Sequence, residues 1–301
     1  MSPHIHIGMS TGGIMLDVII ALLPAAVAGV IIFGLSALWV ILTCVASSVI
    51  FEALFCLITK KPQTVKDLSA AVTGLLLALN LPANIPLWQC VVGALFAIIV
   101  VKCLFGGLGQ NLVNPAIAAR VFMLVAFTGT VAKTVFPVDA VAGATPLKDG
   151  AAMPSLLELL TGYRGTSAIG ETCIAALLIG GIYLMVRRVI TWHNPVAFIG
   201  TVFVFSLCTN GFDPLGALSL TMCGGVVLGA IFMATDYVTS PPTPWGKIIF
   251  GIGCGLITCL IRLYSTEYPE GVSFAILFMN VLSPYICHWT RHKVFGTGGA
   301  K

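Results

Sequence analysis

The 301-residue chain is 58% hydrophobic and only 9% charged, against roughly a quarter charged in ordinary soluble domains. So few charges cannot clothe a water-soluble surface, and a net charge of +4 scattered along the chain forms no basic patch for nucleic acid. A soluble globular enzyme is excluded, and an all-α polytopic membrane protein embedded in a lipid bilayer is expected.

The first apolar run follows a short neutral stub with no basic segment and no A-x-A cleavage signal, so it reads as a retained anchor. From there apolar runs alternate with short polar or Pro/Gly breaks. They predict about ten transmembrane helices at 14–34, 36–58, 68–81, 86–105, 113–128, 169–187, 195–209, 215–234, 246–264 and 271–289. The third and fifth are short for a bilayer core of ~30 Å, which points to tilted, broken or re-entrant segments. The ten cysteines lie almost entirely within these runs, with no CxxC, so they read as small apolar side chains and no metal site is expected.

Lys and Arg set the orientation. With a cytoplasmic N-terminus, Lys60, Lys61, Lys66, Lys102, Arg187, Arg188, Lys247, Arg291, Lys293 and Lys301 fall inside. Lys133, Lys148, Arg164 and Arg262 fall outside, and Arg120 sits within a span. Both termini are therefore expected in the cytoplasm of a cell-membrane protein, with segment 129–168 extracytoplasmic.

An offset of about 155–158 residues brings the halves into register: Ala21-Leu22-Leu23 on Ala176-Leu177-Leu178, Val72 and Gly74 on Val227 and Gly229, Trp88 on Trp245, and Ala119, Phe122 and Met123 on Ala275, Phe278 and Met279. Five helices per copy is odd, so the copies are expected to be inverted, 1–128 and 169–301, around the loop 129–168. Such repeats place sites at discontinuous helices near the midplane. The breaks Leu81-Pro82 and Asn114-Pro115, with counterparts around Ser240-Pro241-Pro242-Thr243-Pro244, fit that expectation or simple helix termination equally.

Two features carry candidate chemistry. In the outer loop, Asp139-Ala140-Val141-Ala142-Gly143-Ala144-Thr145-Pro146-Leu147 presents one hydroxyl among small residues, with Pro146 holding Thr145 out of helical geometry. Within the fifth span, Arg120 follows Asn114-Pro115 and is a candidate for a cofactor carbonyl or phosphate, or for a partner's carboxylate. Other ionisable groups have plainer readings. Lys102, Asp236 and Arg262 are expected to snorkel, Asp17 and Glu171 to sit at helix N-termini, and Glu52 to meet a partner subunit or an ion.

The run Ile14-Met15-Leu16-Asp17-Val18-Ile19-Ile20-Ala21-Leu22-Leu23-Pro24, the N-terminal Ser2-Pro3-His4, Gly106-Gly107-Leu108-Gly109-Gln110-Asn111 with Asn114-Pro115-Ala116, and Gly143-Ala144-Thr145-Pro146-Leu147 resemble the RnfD/NqrB family over essentially the whole chain. Without a long N-terminal extension the chain is expected on the RnfD branch. The resemblance implies a membrane subunit of an ion-translocating electron-transfer complex, in which ferredoxin:NAD⁺ oxidoreduction is coupled to Na⁺ or H⁺ movement. It implies FMN held by a phosphoester on Thr145, installed by a flavin transferase. Asp139, Gly143, Ala144, Pro146 and Leu147 form the attachment motif, in which Ala142 departs from the usual Ser/Thr. Asn114 and Arg120 are expected to contact the cofactor, and a second, non-covalent flavin such as riboflavin is allowed. RnfA, RnfB, RnfC, RnfE and RnfG are the implied partners, and no complete active site is expected on this chain alone. The competing reading is a solute or ion channel with a 5+5 inverted repeat and no flavin.

Overall fold

The computed structural model describes residues 10–131, 155–162, 168–265 and 271–291, and among them every regular element is helical. Each of the ten predicted spans coincides with an apolar helix. In chain order these are α1 (Thr11–Phe33), α2 (Leu35–Ile58), α3 (Ser69–Leu79), α4 (Leu87–Leu95, continued as a π-helical segment Phe96–Cys103) and α5 (Pro115–Ala126). After the short α6 (Thr128–Val131) and α7 (Leu156–Thr161) come α8 (Ile174–Val186), α9 (His193–Thr209), α10 (Pro214–Met222), α11 (Val226–Leu228, continued as a π segment Gly229–Met233), α12 (Pro244–Tyr264) and α13 (Val272–Thr290).

Four of these, α1, α2, α12 and α13, are individually long and apolar enough to cross a membrane, and α10 with α11 makes a fifth span bent by 68°. The third and fifth predicted spans are indeed short, with α3 covering 11 residues and α5 covering 12. Within segment 129–168 the described residues include two short helices. The first is α6, and the second, α7, opens on a capping box in which Glu158 N donates to Ser155 Oγ (3.3 Å) and Ser155 N to Glu158 Oε2 (3.0 Å). The attachment motif Asp139–Leu147 lies outside the described residues.

The bundle is drawn together by close backbone approach, which is what lipid-embedded helices use in place of a hydrophobic driving force. α1 packs on α8, α2 on α3 and α4, α9 on α10 and α12, and α13 on α12 and α5. At the α1–α8 seam, a Cβ on Gly180 would overlap the Ala21 carbonyl oxygen. On α12, Cβ atoms at Gly251 and Gly255 would fall 2.8 Å from Ala197 Cβ and 2.6 Å from Thr201 Cβ, both on α9. Facing outward are large apolar side chains such as Ile31 (77% exposed) and Val186 (75%), the pattern of a lipid-facing surface.

Of the two readings of the proline-rich stretch, helix termination is the one observed. The prolines 241, 242 and 244 do not interrupt a helix: they lie in the connection before α12, where Thr243 Oγ1 caps Gly246 N (3.1 Å) and Pro244 takes the first helical position. A discontinuity inside the predicted span 215–234, not expected from the sequence, falls at Cys223-Gly224-Gly225, where Gly224 adopts φ +72°, open to glycine at little cost. Arg262 answers the carbonyls exposed there, donating from Nη1 to Leu220 O (2.9 Å) and from Nη2 to Cys223 O (2.8 Å). It is a structural cap on the broken helix and does not snorkel.

Candidate cofactor cavity

A cavity of about 330 Å³ opens between the halves at the end of the bundle where α1, α3 and α5 begin and α8 ends. Its walls are mainly apolar, with Met15, Val18, Val72, Leu76, Leu184 and Phe232, and its polar groups include Ser69, Thr73, Lys102, Asn111, Asn114 and Asp236. A largely apolar hollow with a few fixed polar groups is the usual design of a cofactor site.

Asn114 is set by its own helix. Its Oδ1 accepts from Ala116 N (3.0 Å) and Ile117 N (3.4 Å) as the N-cap of α5, with Pro115 following. Its Nδ2 is thereby aimed at Met233 O (3.3 Å), at the end of the π segment. Two further amides meet that segment. Asn80 Nδ2 donates to Leu76 O (2.7 Å) and reaches Met233 Sδ (3.5 Å), and Asn194 Nδ2 donates to Ala234 O. Asn194 stands before Pro195 as Asn114 stands before Pro115; sequence reasoning missed this second asparagine, and the repeated Asn-Pro dipeptide is the signal that could have found it.

Asn111 is 9% exposed, and its Oδ1 has no partner among the described residues, leaving one acceptor at the cavity wall unsatisfied. Across the cavity, burial pushes the Asp236 carboxyl up, opposed by hydrogen bonds from Thr239 Oγ1 (3.0 Å) and the Val238 and Tyr237 amides. Arg120 is 2% exposed on α5 but is not among the residues lining this cavity, so Asn114 and Arg120 are not brought together there.

Lys102 overturns its sequence reading. It is 1% exposed, and its Nζ donates to Glu52 Oε1 (2.7 Å) and Ser69 Oγ (2.7 Å), while Thr64 Oγ1 donates to the same Glu52 oxygen (2.8 Å). The two charges meet inside the chain, so Lys102 has no cause to snorkel; Glu52 is held through Oε1, while its buried Oε2 has no partner among the described residues. Asp17 also differs from expectation. It lies in the second turn of α1 and accepts from Tyr183 Oη (2.8 Å) and from Arg187 (3.2 Å) on the α8 side. It ties the two halves together where a helix-terminal charge was expected.

Comparison with known proteins gives a consistent answer. A family model described as the NQR2, RnfD, RnfE family matches residues 1–296. The chain belongs to this family. It is 50% identical, over 98% of its own length and 94% of the relative's, to the D subunit of the Na⁺-translocating ferredoxin:NAD⁺ oxidoreductase complex of Acetobacterium woodii. It is 41% identical, over 98% and 95%, to the D subunit of the proton-translocating ferredoxin:NAD⁺ oxidoreductase complex of Clostridium ljungdahlii. The D subunit of the ion-translocating oxidoreductase complex of Actinobacillus succinogenes is 34% identical over 99% and 97%.

Proposed function

We propose that this chain is the D-type membrane subunit of an ion-translocating ferredoxin:NAD⁺ oxidoreductase complex, carrying FMN covalently on Thr145 and passing electrons within the membrane. The observation that carries the reading is 50% identity along 98% of the chain to a relative named as that subunit. The relatives' names differ in their ion, Na⁺ in one and a proton in another, so ion choice varies inside the family. Against the channel alternative stands the same full-length match, since every relative named above is an oxidoreductase subunit.

The ten apolar helices then form two inverted sets of five. Pairings between equivalent members, α1 with α8 and α5 with α13, support that arrangement. Both termini lie in the cytoplasm and segment 129–168 lies outside. The NADH, ferredoxin and iron–sulfur sites fall to partner subunits, RnfA, RnfB, RnfC, RnfE and RnfG, and a flavin transferase loads Thr145.

The cavity at Asn111 fits a second, non-covalent flavin such as riboflavin: its volume is of cofactor size, its walls are apolar, and Asn111 Oδ1 is an acceptor in want of an N–H donor. A flavin supplies one- and two-electron transfer when bound. This chain's residues hold it: apolar side chains from α1, α3 and α8 exclude water, and the polar rim sets its orientation.

The test is a denaturing gel viewed under ultraviolet light, with the chain produced beside the transferase. Fluorescence should run with the wild-type band and vanish in Thr145→Ala. Acid precipitation of the native protein should release a second flavin into the supernatant, diminished in Asn111→Ala. A dark wild-type band made with active transferase would overturn the covalent assignment.

A further inference from the structure

Beside the cofactor cavity lies a second cleft, of about 280 Å³, between the turn after α8 and the connection leading into α12. Its lining is of another kind: Arg188, Thr191, Asn194, Ser240 and Lys247 gather in one hollow. Lys247 Nζ donates to Thr191 Oγ1 (2.9 Å), and neither Arg188 nor Lys247 forms an ion pair among the described residues. Asn194 is 1% exposed; its Nδ2 is committed to Ala234 O, while its Oδ1 has no partner among the described residues. The cleft thus offers two cations and the Thr191 hydroxyl proton to anionic oxygens, the Ser240 hydroxyl being committed to Asp236 O, beside one buried acceptor that requires a hydroxyl or amide donor.

The surroundings narrow the ligand. Trp192 and Trp245 flank the cleft in sequence and are exposed, and Trp289 is exposed near the end of α13, which Thr290 Oγ1 ties to Thr243 Oγ1 at 2.7 Å. Exposed tryptophans at one end of an apolar bundle mark the membrane–water boundary. Below the cleft, Val196 on α9 and Ile249, Ile252 and Leu256 on α12 present exposed apolar surface. Basic hollows between helices at that depth take anionic lipid headgroups.

We propose that this cleft binds the headgroup of an anionic glycerophospholipid. Arg188, Lys247 and the Thr191 hydroxyl take the phosphate, Asn194 Oδ1 accepts from a glycerol hydroxyl, and the acyl chains lie along α9 and α12. The inference does not depend on the flavin assignment.

Native mass spectrometry of the full-length chain, released from neutral detergent after addition of phosphatidylglycerol or phosphatidylcholine, tests it. Phosphatidylglycerol should be retained in preference to phosphatidylcholine, and its retention should fall at least about tenfold in Arg188→Gln/Lys247→Gln. Arg291→Gln, outside the cleft, should retain it as the wild type does. Should the double variant fail to fold, Thr191→Val and Lys247→Gln singly should each weaken retention. Equal retention of the two lipids, or undiminished retention in folded cleft variants, would overturn the proposal. Displacement of the lipid by millimolar inorganic phosphate would overturn the lipid assignment in favour of a soluble phosphate.

Discussion

Asn114 and Asn194 close on neighbouring carbonyls of a single helix end, Asn114 Nδ2 on Met233 O and Asn194 Nδ2 on Ala234 O. One asparagine comes from each half of the chain, and each precedes a proline in the first turn of a helix, Pro115 at the first position of α5 and Pro195 two residues into α9. A π segment leaves its terminal carbonyls poorly served by its own ladder, and in a low-dielectric interior an unanswered carbonyl is costly. The two amides therefore set the depth and angle of Gly229–Met233, whose Phe232 forms part of the candidate cavity's wall.

Two substitutions separate capping from clamping. Asn114→Ser keeps an N-cap oxygen for α5 but cannot reach Met233 O, while Asn114→Ala loses both. The expected order of thermal midpoints in detergent is wild type, then Ser, then Ala, with Asn194→Ala costing about 1–3 kcal/mol through the orphaned Ala234 carbonyl. The exposed Asn210→Ala should stay within about 0.5 kcal/mol of wild type. Equality of Asn114→Ser with the wild type would mean that the clamp contributes nothing.

The seam between α1 and α8 predicts a sharp contrast between two glycines. Gly180→Ala puts a methyl group against the Ala21 backbone, which cannot rotate away, so the helices must part. A loss of about 1–3 kcal/mol is expected. A Cβ at Gly200 on α9 meets nothing within 4 Å, and Gly200→Ala should be neutral or slightly stabilising. Half-lives at elevated temperature, read by size-exclusion of the detergent-solubilised chain, compare them directly.

Topology follows from the Lys/Arg distribution and is open to direct labelling. In a background without the native cysteines, Lys148→Cys should react with an impermeant maleimide on intact cells, whereas Lys61→Cys should react only after lysis. The reverse pattern would invert the orientation.

What the sequence made legible was one-dimensional. Apolar runs located the helices to within a few residues, because the end of hydrophobicity and the end of a span share a cause. Faces were not legible. Lys102 lies near the end of its run, so depth alone suggested snorkelling, yet the π segment Phe96–Cys103 turns it inward onto Glu52, fifty residues earlier. The break at Cys223-Gly224-Gly225 barely alters local hydropathy; the paired glycines are its signal, a weaker one than the prolines at 241–244. Of the candidate site, Asn114 was legible as a helix start preceding proline, whereas Asn111 and the cavity depend on which helices meet. Thr145 stands out by family resemblance, since physically its segment reads only as a turn.

The buried Glu52–Lys102 pair gives the most demanding prediction. Both side chains are nearly inaccessible, at 3% and 2% exposure, so neither charge has water to fall back on. Removing one partner strands the other, at a cost of about 3–5 kcal/mol, whereas removing both costs much less. Lys102→Met alone should therefore lower the thermal midpoint steeply, and adding Glu52→Gln should restore most of the loss, because Thr64 can still donate to the amide oxygen. Lys102 also lines the cavity beside Asn111, so the double variant separates fold from cofactor: stability returns, while any flavin contact made by the ammonium does not. A lysine that snorkelled to water would show neither behaviour. Lys102→Met would then be nearly silent, and Glu52→Gln would add its effect independently.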